Sequence, residues 1–252
     1  METKTIFISG VTSGIGLETA KILMDKGHRV LGTGRRMDRL ELLVRQYGPE
    51  RFLPLCFDAG DTAACEVALN SIPEDWQTLD ILFNNAGNAH GLDFFQDSDR
   101  ADWEAMIDIN IRGLVYITSY FLPRMLARGK GHILNMGSIA ADQVYPKGAM
   151  YCASKAAVSA FTQGLRMDLN AAGIKVSEIK PGMVETEFSL VRFKGDEDRA
   201  GKVYEGLKPL SGRDVADVVV YMMEAPAHVN LAEVLLMPLA QAGTTLFNRK
   251  TV

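Results

Sequence analysis

Short apolar runs rich in β-branched residues alternate along the chain with longer segments whose apolar positions recur every three or four residues. The runs predict strands over 5–9, 29–33, 52–57, 81–83, 132–136, 175–179 and 233–237. The longer segments predict helices over 15–26, 39–47, 62–70, 103–126, 150–171 and 214–223. Gly27 is placed to stop the first of these helices. Such alternation is the sign of βαβ units on a parallel sheet, so the expected class is α/β with seven parallel strands. No Pro/Ser-rich linker, repeat or low-complexity tract interrupts it, which predicts one domain over residues 1–252. One stretch breaks the rhythm. Over 186–208, Arg192, Lys194, Asp196, Glu197, Asp198, Arg199 and Lys202 crowd a segment with few apolar anchors. Either a mobile lid over a site or a solvated surface helix explains that composition.

Composition changes the picture mainly by exclusion. The 252 residues are 47% hydrophobic and 23% charged, as in an ordinary soluble globular protein, and are enough for one large core. Lys+Arg 27 against Asp+Glu 31 gives a net charge of −4 with no basic stripe, which argues against nucleic acid or an anionic membrane as partner. Cys56, Cys65 and Cys152 are odd in number and lack metal-ligand spacing, and the four histidines are scattered. No metal site and a reducing compartment are therefore expected. The apolar run from Ile6 to Ile8 is too short for a signal peptide or a membrane span, so the expected location is cytoplasmic.

Chemistry gathers first between the leading strand and helix. Ser9-Gly10-Val11-Thr12-Ser13-Gly14-Ile15-Gly16 is a glycine-rich turn placed where a helix N-terminus and its free N–H groups hold a pyrophosphate. Gly10 permits the turn, while Gly14 and Gly16 are expected to let the backbone approach the phosphates. At the end of the second strand, where a carboxylate would bind the ribose of NAD, the chain reads Thr33-Gly34-Arg35-Arg36. Two guanidinium forks suit a 2′-phosphate, which points to NADP(H).

Tyr151 and Lys155 are four residues apart in a helical segment and so share a face. A phenol titrates near 10, and the Lys155 ammonium would favour the phenolate and make Tyr151 a usable proton donor and acceptor. Ser138 follows a strand, at the end that opens on the crevice of a doubly wound sheet, and its hydroxyl could orient a carbonyl. With Asn84-Asn85-Ala86-Gly87, Asn110 and Pro181-Gly182 added, these motifs resemble the short-chain dehydrogenase/reductase family over essentially the whole chain. The resemblance implies a Rossmann-type, doubly wound fold with helices on both faces of the sheet. It implies that Tyr151 is the acid/base, that Lys155 tunes it and binds the nicotinamide ribose, that Ser138 holds the substrate oxygen, and that Asn110 carries a water of the proton relay. For the cofactor it implies the turn residues Gly10, Thr12, Ser13, Gly14, Ile15 and Gly16, Asp58 at the adenine, and Asn85 and Gly87 near the adenosine ribose. Pro181, Gly182, Val184 and Thr186 would line the carboxamide. A homotetramer is the assembly it suggests.

Finer runs resemble one branch, the NADP-dependent 3-hydroxy acid dehydrogenases acting on serine and allo-threonine, with sulfoacetaldehyde reductase as a neighbour. The runs are Thr33-Gly34-Arg35-Arg36, Glu185-Thr186-Glu187-Phe188, Val191-Arg192-Phe193-Lys194-Gly195-Asp196 and Pro226-Ala227-His228-Val229-Asn230. A carboxylate or sulfonate substrate needs a cation, and Arg192, Lys147 and Arg249 are the candidates, the last reaching in from a neighbouring subunit. Two other readings stay open beside the enzyme of small acids: a reductase of carrier-bound 3-oxoacyl groups, and a non-catalytic NADP(H) sensor or scaffold.

Overall fold

The computed structural model describes residues 2–249. Seven strands form one parallel sheet: β1 (Thr5–Ile8), β2 (Arg29–Gly34), β3 (Phe52–Cys56), β4 (Ile81–Asn84), β5 (Gly131–Met136), β6 (Ile174–Pro181) and β9 (Glu233–Leu236). Their order across the sheet is β3-β2-β1-β4-β5-β6-β9, every pairing parallel. A further parallel pair, β7 (Val184–Glu185) with β8 (Leu210–Ser211), stands apart from it. The central strands β1 and β4 are short and apolar because both of their faces are covered. In β1, Ile6 and Ile8 join the core beneath the helices α1 (Gly14–Asp25), α2 (Met37–Tyr47) and α9 (Gly212–Glu224). Phe7, pointing the other way, joins the core beneath α3 (Thr62–Asn70), α5 (Leu114–Arg128) and α6 (Ala149–Asp168).

Strand order reverses at β1, whose neighbours are β2 and β4, and the connections leaving β1 and β4 diverge to opposite faces there. A doubly wound sheet opens its ligand crevice at that point, beyond the carboxyl ends of the strands. No helix among the described residues is long and apolar enough to cross a membrane.

Two elements depart from the sequence pattern. The segment expected as one helix over 103–126 is α4 (Arg100–Ile107), a π-helical turn (Asp108–Gly113) and α5. The turn places Asn110 fully inside, where its Oδ1 accepts from Asn88 N and its Nδ2 donates to Asn88 O and Ser154 Oγ, at 2.9, 2.9 and 3.0 Å. The charged stretch over 186–208 is two short helices, α7 (Phe188–Arg192) and α8 (Glu197–Lys202), rather than an unanchored loop. Phe193 and Ala200 are buried, Gly91 and Arg192 exchange a backbone bond of 2.9 Å, and Lys194 pairs with Asp102 at 2.9 Å.

Candidate active site

A cleft of about 770 Å³ runs along the strand ends, lined from the glycine turn through Gly34 and Asp58 to Ser138, Tyr151 and Arg192. The tail after β9 closes one wall, with Gln241, Thr244 and Phe247 on it. Gln241 is locked in place, its Oε1 accepting from Met183 N at 2.8 Å.

At the cofactor end, Gly10 and Gly14 adopt left-handed backbones, φ +76° and +56°, which side chains rarely take. Gly16 does a different job from the one expected: it does not line the cleft, and a Cβ there would stand 2.1 Å from Gly10 O. It is a packing glycine that lets the helix seat against the turn. Asn85 lines the cleft, yet its Nδ2 donates to Ser9 O and Gly10 O at 2.8 and 3.0 Å. Its amide braces the turn. Thr12, Ser13, Ile15, Gly87, Pro181, Gly182, Val184 and Thr186 all line the cleft.

Arg35 and Arg36 diverge. Arg35 is 64% exposed and pairs with Asp58 at 3.4 Å. Arg36 turns inward, donating to Thr12 Oγ1 at 3.0 and 3.2 Å, to Ser13 Oγ at 2.9 Å and to Glu187 Oε2 at 2.7 Å. A third cation, Arg39, joins it and donates to Thr12 O at 3.0 Å and Glu187 Oε1 at 2.7 Å. Arg39 lies one helical turn beyond Arg36, a spacing that could have flagged it; Glu187 had no signal beyond its presence in a matching run. Glycines without side chains, a helix N-terminus and the Arg35 and Arg36 guanidinium groups at one end of an elongated cleft, with Arg39 behind them on Glu187 and outside the lining, fit a phosphorylated dinucleotide.

At the other end, α6 places Tyr151 and Lys155 on one face toward Ser138. Burial and the neighbouring Tyr145 push the Tyr151 phenol up to about 12, against the Ser138 hydroxyl and the Arg192 charge, which pull it down. The expected lowering by Lys155 is therefore not what the protein alone displays. Burial pulls Lys155 down to about 8, opposed by the Glu178 carboxylate, and its Nζ donates to Met136 O at 2.8 Å. Asn110 does not line the cleft, and its side chain is occupied by Asn88 and Ser154, so what it visibly does is hold the loop after β4.

Arg192 enters the cleft beside this group. Its guanidinium lies 5.3 Å from the Tyr151 ring and 5.6 Å from the Tyr145 ring, and donates to Tyr145 Oη at 2.6 Å. Lys147 also lines the cleft. Arg249 does not: it donates to the Glu205 and Val203 carbonyls of its own chain. Phe188, which meets Tyr151 edge-on at 5.7 Å, was marked only by its presence in a matching run, and Tyr145 by no pattern at all.

Fold and cleft together define a doubly wound dinucleotide-binding protein with a Ser, Tyr and Lys group at its reactive end. The short chain dehydrogenase family profile matches residues 4–196. A "Probable NADP-dependent dehydrogenase" of Haemophilus influenzae is 46% identical over 99% of this chain and 100% of its own. The "NADP-dependent 3-hydroxy acid dehydrogenase YdfG" of Salmonella typhi is 42% identical over 94% of this chain and 96% of its own. The solved closed form of a serine dehydrogenase complexed with NADP+ superposes with a TM-score of 0.92, at 40% identity, covering 98% of this chain and 99% of that one. The protein belongs to the short-chain dehydrogenase family and is an oxidoreductase.

Proposed function

We propose that the protein is an NADP(H)-dependent dehydrogenase interconverting a small 3-hydroxy acid, of the serine, allo-threonine or 3-hydroxypropionate type, with its carbonyl form. The observation that carries this reading is Arg192, a cation held 5.3 Å from the ring of Tyr151, where it would meet the acid group of a substrate whose oxygen lies at the phenol. Names of similar proteins support it, since one acts on 3-hydroxy acids with NADP and another is a serine dehydrogenase holding NADP+.

Bound along the cleft, NADP(H) supplies the hydride. The glycine turn and the N-terminus of α1 take the pyrophosphate, and Arg35 and Arg36 offer donors to the 2′-phosphate. Ser138, whose Oγ accepts from Ala140 N at 3.1 Å, keeps its proton free to hold the substrate oxygen. A phenol held up to about 12 keeps its proton at neutral pH and can hand it to an oxygen that is becoming an alkoxide. In the oxidising direction the same phenol must receive a proton, and the Ser138 hydroxyl and the Arg192 charge favour the phenolate that does so. The segment over 186–208 acts as a lid that carries Arg192. We further place the protein in the cytoplasm, as one domain per chain and a homotetramer in assembly.

Oxidation of NADPH with malonic semialdehyde and with sulfoacetaldehyde, NADH serving as control, tests the reading. Turnover favouring the carboxylate and NADPH, with almost all of it lost in Tyr151→Phe while NADPH still binds, is expected. Preference for the sulfonate would make the protein a sulfoacetaldehyde reductase, and NADPH binding without turnover of either aldehyde acid would point first to another carbonyl substrate and only then to a sensor.

A further inference from the structure

Thr186, Glu187 and Phe188 are consecutive, yet they face separate parts of the cleft. Thr186 packs on the glycine turn, its Cγ2 3.2 Å from where a Cβ on Gly14 would stand. Phe188 packs on Tyr151. Between them Glu187 crosses to the cofactor end and sets one carboxylate oxygen on each of two guanidiniums, Arg36 and Arg39, both at 2.7 Å. Burial pushes this carboxyl up, but the Arg39 and Arg36 bonds outweigh it and hold it below the ordinary range, so it is ionised at neutral pH.

One negative charge on two positive ones leaves the cluster with a net charge of +1, ready for a second anion. The donors are partly committed, however. Of the Arg36 fork, Nε, NH1 and NH2 all already bond to Thr12, Ser13 or Glu187. Arg39 commits only NH1, but a phosphate approaching the Arg36 fork must share or displace the carboxylate, because both anions seek the same planar donors.

We propose that Glu187 is a positioning and specificity-determining residue: it stands in for the 2′-phosphate on Arg36 and Arg39, moderating the preference for the phosphorylated dinucleotide, and in doing so it straps Phe188 and Arg192 in place at the substrate end. The inference rests on the NADP(H) reading above. It assigns two linked consequences to a single carboxylate. Removing its charge frees phosphate donors and at the same time loosens the segment that carries the acid-binding cation.

Calorimetric titration of NADPH and NADH into wild type, Glu187→Gln and Glu185→Gln tests the first consequence without reference to turnover. Glu185 is an exposed carboxylate two residues away without an arginine partner, so it controls for the bare loss of charge. Glu187→Gln should bind NADPH about three- to tenfold tighter, a modest gain for half-exposed ions, with NADH unchanged. Glu185→Gln should keep the wild-type ratio. The Michaelis constant for the hydroxy acid should rise in Glu187→Gln by a similar factor, with kcat falling less. An unmoved or reduced NADPH-to-NADH affinity ratio in Glu187→Gln overturns the inference, as does an equal change in Glu185→Gln. A wild type that binds both dinucleotides alike sinks the cofactor reading itself, and that outcome is distinct because it appears before any variant is made.

Discussion

His132 sits on β5 with 4% of its surface exposed, and its Nε2 lies 2.8 Å from Ser177 Oγ. Ser177 donates its own proton to Asn230 Oδ1 at 2.8 Å, so the imidazole must be the donor to Ser177 and carries its proton on Nε2. Nδ1 then has no partner, and a second proton there would be a buried, unbonded donor. Burial, with the charges of Lys175 and Lys4, lowers the group to about 3. The unfolded chain, with an ordinary imidazole near 6.5, takes up a proton that the folded chain refuses. Stability from this residue is thus fully present above about pH 6.5 and lost as pH falls toward 3, by up to about 1.4 kcal/mol per pH unit. Urea unfolding of wild type and His132→Gln between pH 7 and 5 should show the wild type losing stability more steeply; parallel slopes would count against a neutral His132. Nothing in the sequence pattern separates this histidine from the other three, because its state depends on Ser177 and Asn230, which only folding brings near. Tyr151, Lys155 and Ser138 were legible for the opposite reason: a helical spacing and a strand end place them without knowledge of distant partners. Glu187 and Arg39 meet across 148 residues, and no local pattern links them.

Between α4 and α5 the chain needs one wide turn, and the reason lies in Gly113. A Cβ there would come within 1.9 Å of Ala59 O, so the helix passes the loop after β3 at backbone contact. The π turn leads the helix into that contact, ending on Gly113, and points Asn110 at Asn88. Replacing Gly113 by Ala should force the two backbones apart and cost about 1–3 kcal/mol, read as a lowered urea midpoint with an unchanged slope. A loss below about 0.5 kcal/mol would mean that the junction yields freely and is not a fixed part of the scaffold. Apolar spacing over 103–126 could not reveal the turn, since one extra residue shifts the phase of the stripe without ending it. The same limit applies to β7 and β8, each two residues long and too short to carry a period. Conversely, β1 and β4 were legible because burial on both faces writes them as nearly unbroken apolar runs, TIFI and ILFN. The segment over 186–208 read as polar because its anchors, Phe188, Phe193 and Ala200, are spaced apart among charges, of which Glu187 and Arg192 turn into the cleft and Lys194, Glu197, Asp198 and Arg199 face outward.

Viewed as a whole, the cleft draws one wall residue from almost every part of the molecule: Gly10 after β1, Gly34 on β2, Asn85 after β4, Ser138 after β5, Gly182 after β6 and Phe247 from the tail. The order of the seven strands decides this, because reversal at β1 brings these ends to one line. A ligand spanning the line touches both halves of the sheet and stabilises only the assembled fold, so binding must raise resistance to heat by linkage. With NADP+ at one hundred times its dissociation constant the gain is about 2.7 kcal/mol. For a chain of this size each kcal/mol moves the midpoint by about 2–4 °C, which predicts a rise in Tm of roughly 5–10 °C. NAD+ at the same concentration lacks the 2′-phosphate for which Arg35 and Arg36 are the proposed donors. If it binds tenfold more weakly, it forfeits about 1.4 kcal/mol and should trail by roughly 3–5 °C. Differential scanning calorimetry with each dinucleotide measures both shifts directly. Equal shifts would show that the guanidinium cluster serves Glu187 and Asp58 as internal ion pairs and selects no phosphate. A gap that closes in 0.5 M salt would show the selection to be electrostatic, because screening at that strength reaches within about 4–5 Å and weakens half-exposed pairs first.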